Sequence, residues 1–108
     1  MIELEQGSGN VYADIGAAEP DEMMVKAQLV AKLAEIIEAR HFTNQAEAAA
    51  VIGLTQPKLS SLLRGNFRGI SEAKLMDCLL RLGRDVQIVV GPARARPEPG
   101  RLAVVMAS

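Results

Sequence analysis

An all-α domain closed by one short C-terminal strand is the fold class this sequence predicts, and three observations predict it. Ala, Leu, Val and Ile carry the apolar load, which is 49% of 108 residues, while aromatics are 3% and Trp is absent. That balance favours helices over a β-sandwich. Four stretches repeat apolar residues at helical spacing, and each begins with a helix-starting residue. One run, Val86-Gln87-Ile88-Val89-Val90, is β-branched instead. The chain is long enough for one core and too short for two of ordinary size.

The first helix is predicted from Pro20 to about Arg40. Pro20 suits a first helical position, and Asp21 and Glu22 complement the positive end of the helix dipole. Val25, Leu29, Leu33 and Ile36 recur on one stripe, widened by Val30 and Ile37, with Lys26, Gln28, Lys32 and Glu35 mostly elsewhere. Arg40 and His41 fall at the negative end, where cations are favoured.

The second helix opens with Asn44-Gln45-Ala46-Glu47, a capping box in which Asn44 accepts from the Glu47 amide and Glu47 reaches back. Ala46 to Ala50 is nearly all alanine, small enough to let another helix approach, and Gly53 ends the helix. Thr55 caps the third helix, Leu54 and Leu59 form its hydrophobic staple, and Pro57 sits where a missing N–H costs nothing. Leu59, Leu62 and Leu63 point inward, leaving Lys58, Ser61 and Arg64 outside; Gly65 terminates it.

Asn66 to Gly69 reads as a loop. Ser71 caps the fourth helix with Ile70 and Leu75 as staple. Its inner face is Leu75, Met76, Leu79, Leu80 and Leu82, with Cys78 as a small core hydrophobe, and Gly83 ends it. Gly91-Pro92 stops the Val86–Val90 strand, and residues 91–100 read as linker. Leu102 to Met106 reads equally as a second strand or a frayed end. Upstream, Val11 to Ile15 reads as a brief strand or an extended arm. The domain plan is an N-terminal arm over 1–18, a folded domain over 19–91 and a flexible tail over 92–108.

The net charge of −1 conceals an asymmetry: residues 1–50 carry −6 and residues 51–108 carry +5. A basic half on a near-neutral protein is either a nucleic-acid face or a set of solvated helix surfaces. Other chemistries find little support. One cysteine excludes an internal disulfide, and one histidine excludes a histidine-pair metal site. Gly7-Ser8-Gly9 lacks the helix start and lysine of a phosphate loop. No apolar run approaches a membrane span, and the acidic N-terminus is unlike a signal peptide. The expectation is a cytoplasmic protein that is not an enzyme and needs no cofactor or metal.

Two short helices joined by a tight Gly53-Leu54 turn form a helix-turn-helix candidate. The second helix of such a unit enters the major groove N-terminus first. Its exposed residues there are Thr55, Gln56, Lys58 and Ser61; Gln can read adenine and Lys can reach guanine or a phosphate.

The stretch Gln45-Ala46-Glu47-Ala48-Ala49, Ile52-Gly53-Leu54-Thr55-Gln56-Pro57-Lys58-Leu59-Ser60 and Leu62-Leu63-Arg64-Gly65 resembles the XRE (Cro and lambda-repressor-like) helix-turn-helix family. The continuation from Ile70-Ser71 to Val86–Val90, with Asn10-Val11-Tyr12-Ala13-Asp14-Ile15-Gly16 upstream, resembles its HigA-like antitoxin subgroup. The resemblance covers roughly residues 10–91. It implies a transcriptional repressor that binds a palindromic operator as a dimer, with a RelE/HigB-like toxin as partner. By position, Gln45 matches a phosphate-touching residue. Thr55, Gln56, Pro57 and Ser61 match groove-facing positions, and Lys58 and Arg64 match positions near the backbone. Pro57 departs from the glutamine common in phage repressors and cannot donate to a base, so specificity rests on fewer side chains.

Arg68, beside Arg64, is expected on phosphate as well. Val86, Ile88, Val89 and Val90 are expected at the dimer interface. An isolated strand is unstable in water, and the same strand of a second copy is its simplest partner. Two rival readings stand: a repressor without any toxin, and a toxin-neutralising module that does not bind DNA.

Overall fold

Four helices make up the regular structure of the computed structural model, which describes residues 19–95 and 97–107. They are α1 (Glu19–Arg40), α2 (Gln45–Ile52), α3 (Gln56–Leu63) and α4 (Glu72–Arg81). The patch Val11 to Ile15 lies outside the described residues. The long α1 packs chiefly along α4, α2 packs on both α3 and α4, and α1 also meets α3.

At the starts of α2, α3 and α4 the expected residues cap the helix. Asn44 Oδ1 accepts from the Glu47 amide at 2.9 Å. The return arm lands one residue further out: the Thr43 amide, rather than that of Asn44, donates to Glu47 Oε1 at 3.2 Å. Thr55 Oγ1 accepts from the Lys58 amide at 3.3 Å, and Ser71 Oγ from that of Lys74 at 3.0 Å. Each bond satisfies an amide that has no partner inside its own helix.

Every helix sends a fully buried side chain to one core: Leu33 from α1, Ile52 from α2, Leu59 from α3, Leu75 and Cys78 from α4. Burying each of the large aliphatic residues contributes roughly 1.5–3 kcal/mol. Ala48 and Ala49 are buried too, and their small side chains let α2 lie close to its neighbours.

Two expectations are corrected. Leu80, placed on the inner face of α4, is 54% exposed. The buried set is Leu75, Cys78, Leu79 and Leu82, spaced three and four apart, and Leu80 is turned about 100° from Leu79, off that stripe. The strand over Val86–Val90 is likewise not formed: the described residues contain no β-ladder. A ladder needs a second backbone, and among the described residues the other candidate stretch, Leu102 to Met106, is engaged elsewhere. Leu102 and Val104 pack against the core while Ala103 and Val105 face out, and Arg101 bonds to Asp21 in the first turn of α1. Only Val86 of the 86–90 run packs against the core; Val89 and Val90 are more than three-quarters exposed.

Among the described residues no helix is long and apolar enough to cross a membrane.

Candidate nucleic-acid interface

The α2–turn–α3 unit is built around Gly53. Its φ of 77° lies in the left-handed region that favours glycine. There the Gly53 amide donates to the Ala49 carbonyl, and the Leu54 amide donates to the same oxygen at 3.0 Å. The chain then enters α3 through the Thr55 cap, with Pro57 in the first turn.

The rotation of α3 is set by its apolar side. Leu59 and Leu62 are buried and Leu63 partly so. The opposite side near the helix start therefore carries Thr55, Gln56, Pro57 and Lys58 outward, all exposed. Ser61 is half-buried, so it reaches the surface less than its neighbours. Thr55 already spends one oxygen lone pair on the Lys58 amide, which leaves its O–H as the group available to a ligand. Arg64 is exposed, and its Nη1 donates to Ser60 Oγ at 2.6 Å. Gln45 is exposed at the first residue of α2.

Sequence reasoning missed the fastening of the loop after α3. Lys26, expected among the outward polar residues of α1, is buried, and its Nζ donates to the Arg68 carbonyl at 2.8 Å. Glu22, one turn earlier, is 3.7 Å from the same nitrogen. This ties α1 to the loop that carries the exposed Arg68 side chain. The spacing held a signal, since Lys26 heads the row Val30, Leu33, Ile37 at three- and four-residue steps. Behind it, Glu72 is buried at the start of α4 with Oε2 unpartnered, and burial pushes its carboxyl pKa up. Lys26 opposes that rise and Glu22 adds to it.

At the end of α1 Arg40 lies over the Phe42 ring, 5.1 Å from its centroid, and His41 leaves the helix with φ 51°. Cys78 is fully buried, and burial raises its thiol pKa, which keeps it protonated and unreactive. Among the described residues no group of three or more His, Cys, Asp or Glu is placed to hold a metal.

Two short helices, a glycine turn and a polar outer edge on the second helix define a helix-turn-helix domain. A family model described as a helix-turn-helix domain matches residues 11–91. A solved structure named "Putative XRE Family Transcriptional Regulator" superposes with a TM-score of 0.74 at 33% identity, covering 83% of this chain and 100% of that one. No curated protein sequence matches the chain. The chain belongs to the XRE family of helix-turn-helix proteins.

Proposed function

We propose that the protein is a sequence-specific DNA-binding transcriptional regulator that reads duplex DNA with α3. One observation carries the reading: Gln56 and Lys58 stand exposed at the start of a helix whose opposite side is sealed into the core by Leu59 and Leu62. Side chains so held present donors and acceptors in a fixed register to base edges. Thr55 and Ser61 flank them, and Pro57 offers only apolar contact. Arg64, Arg68 and the start of α2 at Gln45 serve the phosphates, which position the helix without reading sequence, and Lys58 reaches either a guanine or a phosphate.

Binding as a homodimer to a palindromic operator belongs to the same reading. Among the described residues, and apart from Met24, the exposed large apolar residues fall after residue 79: Leu80, Ile88, Val89, Val90, Val105 and Met106. A second copy pairing through residues 86–90 covers three of them and supplies the missing backbone for a ladder. The antitoxin form of this reading, with repression of its own operon and a RelE/HigB-like toxin as partner, rests on the sequence resemblance.

The test is selection of duplexes from a random pool by the unmodified protein, followed by binding of Gln56→Ala to the enriched duplex. The variant should lose about 1–3 kcal/mol and relax one base position. Failure to enrich any sequence, or a Gln56→Ala protein with unaltered preference, rejects α3 as the reading helix. Sedimentation of the free protein, and co-purification with the product of the neighbouring gene, test the dimer and the toxin separately.

A further inference from the structure

Arg81, the last residue of α4, lies against the turn of the helix-turn-helix unit. A β-carbon built on Gly53 would stand 3.0 Å from both Cζ and Nε of Arg81 and 3.3 Å from its Cδ. The guanidinium therefore occupies the space a side chain at the turn would take. It is held there from its own helix: Arg81 Nε donates to Asp77 Oδ2 at 2.9 Å, and Lys74 Nζ stands 3.6 Å from the same oxygen. The bond to Arg81 keeps the Asp77 carboxyl below the usual carboxylate range.

We propose that Arg81, clamped by Asp77, is a positioning residue for DNA recognition that fixes the angle between α2 and α3 by packing its guanidinium on the Gly53 turn. An exposed ion pair one helical turn apart is worth little by itself. Its importance here lies in what the guanidinium touches. The turn is the joint between two helices that must engage DNA together, Gln45 at the start of one and Gln56 and Lys58 at the start of the other. With the joint covered by a flat, tethered group, both starts keep one relation. With Asp77 beside it, the cation's role is contact with the turn rather than attraction to phosphate.

This inference rests on α3 reading DNA, and the experiment separates the two. The probes are the duplex enriched by the unmodified protein and a shuffled duplex of the same length. Arg81→Ala, Arg81→Lys and Asp77→Asn should each weaken the enriched duplex by roughly twofold to thirtyfold. Binding to the shuffled duplex and the salt slope should stay unchanged. Lysine should not rescue, because it keeps the charge and loses the plane. Melting curves check that all three variants are folded; these residues are about half exposed.

A phosphate-binding Arg81 gives the opposite pattern. Arg81→Lys would then retain affinity, Asp77→Asn would bind as well or better, and Arg81→Ala would flatten the salt slope by about one. That pattern overturns the proposal, as do three variants with unaltered binding. If no duplex is enriched at all, the reading by α3 falls and the proposal falls with it. A further check needs no DNA. Gly53→Ala should cost less stability in the Arg81→Ala background than in the unmodified one, since the backbone strain remains but the collision is gone. Equal costs would show that the guanidinium swings off the turn at no expense and so does not fix it.

Discussion

Arg101 grips Asp21 with two nitrogens across 80 residues of sequence, Nε donating to Oδ2 at 2.8 Å and Nη2 to Oδ1 at 2.5 Å. The Leu102 amide approaches the same carboxylate at 3.5 Å. Together these bonds strap residues 101–104 across the start of α1.

That strap should respond to acid with a definite sign. The bond from Arg101 holds the Asp21 carboxyl below the usual carboxylate range, against the opposing effect of desolvation. A depressed carboxyl contributes stability that is complete above its unfolded pKa and is lost as pH falls through the folded one. The Leu102 amide resonance should therefore stay put from neutral pH into mild acid and move only in stronger acid. In Asp21→Asn it should sit at its released position even at pH 7. An Asp21→Asn resonance identical to that of the unmodified protein would show that the strap is held by Leu102 and Val104 alone.

Glu72 should show the reverse dependence. Its carboxyl is raised by burial, so the folded state carries a penalty that grows as pH rises from the ordinary carboxylate value to the raised one, is complete above it, and eases as pH falls. Glu72→Gln should melt higher than the unmodified protein at pH 7–8, and the gap should narrow towards the ordinary carboxylate range. Paired melting curves across that interval decide it; a gap that widens in acid contradicts the assignment.

Two leucines should behave oppositely on truncation. Leu33 has no exposed surface, and Leu33→Ala should cost about 2–5 kcal/mol by leaving a cavity. Leu80 is largely in water, and Leu80→Ala should stay within about 0.5 kcal/mol in a monomer. Denaturant midpoints measured at low and high protein concentration would also show whether Leu80 gains importance on association.

At the start of α2, Asn44→Ala should cost roughly 0.5–2 kcal/mol, and Asn44→Gly only a few tenths. Urea titration of both variants tests whether the cap bond to Glu47, rather than the backbone angle of residue 44, carries the effect.

These contrasts mark what sequence could reveal. The caps at Asn44, Thr55 and Ser71 act on amides three residues away, so their chemistry is written locally and was readable. The exposed edge of α3 was readable for the same reason, since Leu59 and Leu62 declare the other side. Asp21 was not readable as buried, because its partner Arg101 lies 80 residues away; the spacing put Lys26 on an inward row, but its partner, the Arg68 carbonyl 42 residues on, was not readable. Arg81 gave no signal, since nothing in the spacing of Lys74, Asp77 and Arg81 says that α4 ends over Gly53. The Val86–Val90 run has strand chemistry without a partner backbone, and composition cannot supply one.

Cys78 sits at the meeting point of the helices with no surface in contact with solvent, and it is the sole thiol of the chain. A thiol reagent can reach it only after the bundle opens, so the rate of labelling under native conditions reports the frequency of that opening. The protein thus carries its own gauge of cooperativity, one that needs neither an added fluorophore nor the tryptophan it lacks. Adding an enriched DNA duplex should slow the modification in proportion to the fraction bound, which makes one atom in the core a reporter of events at the surface of α3.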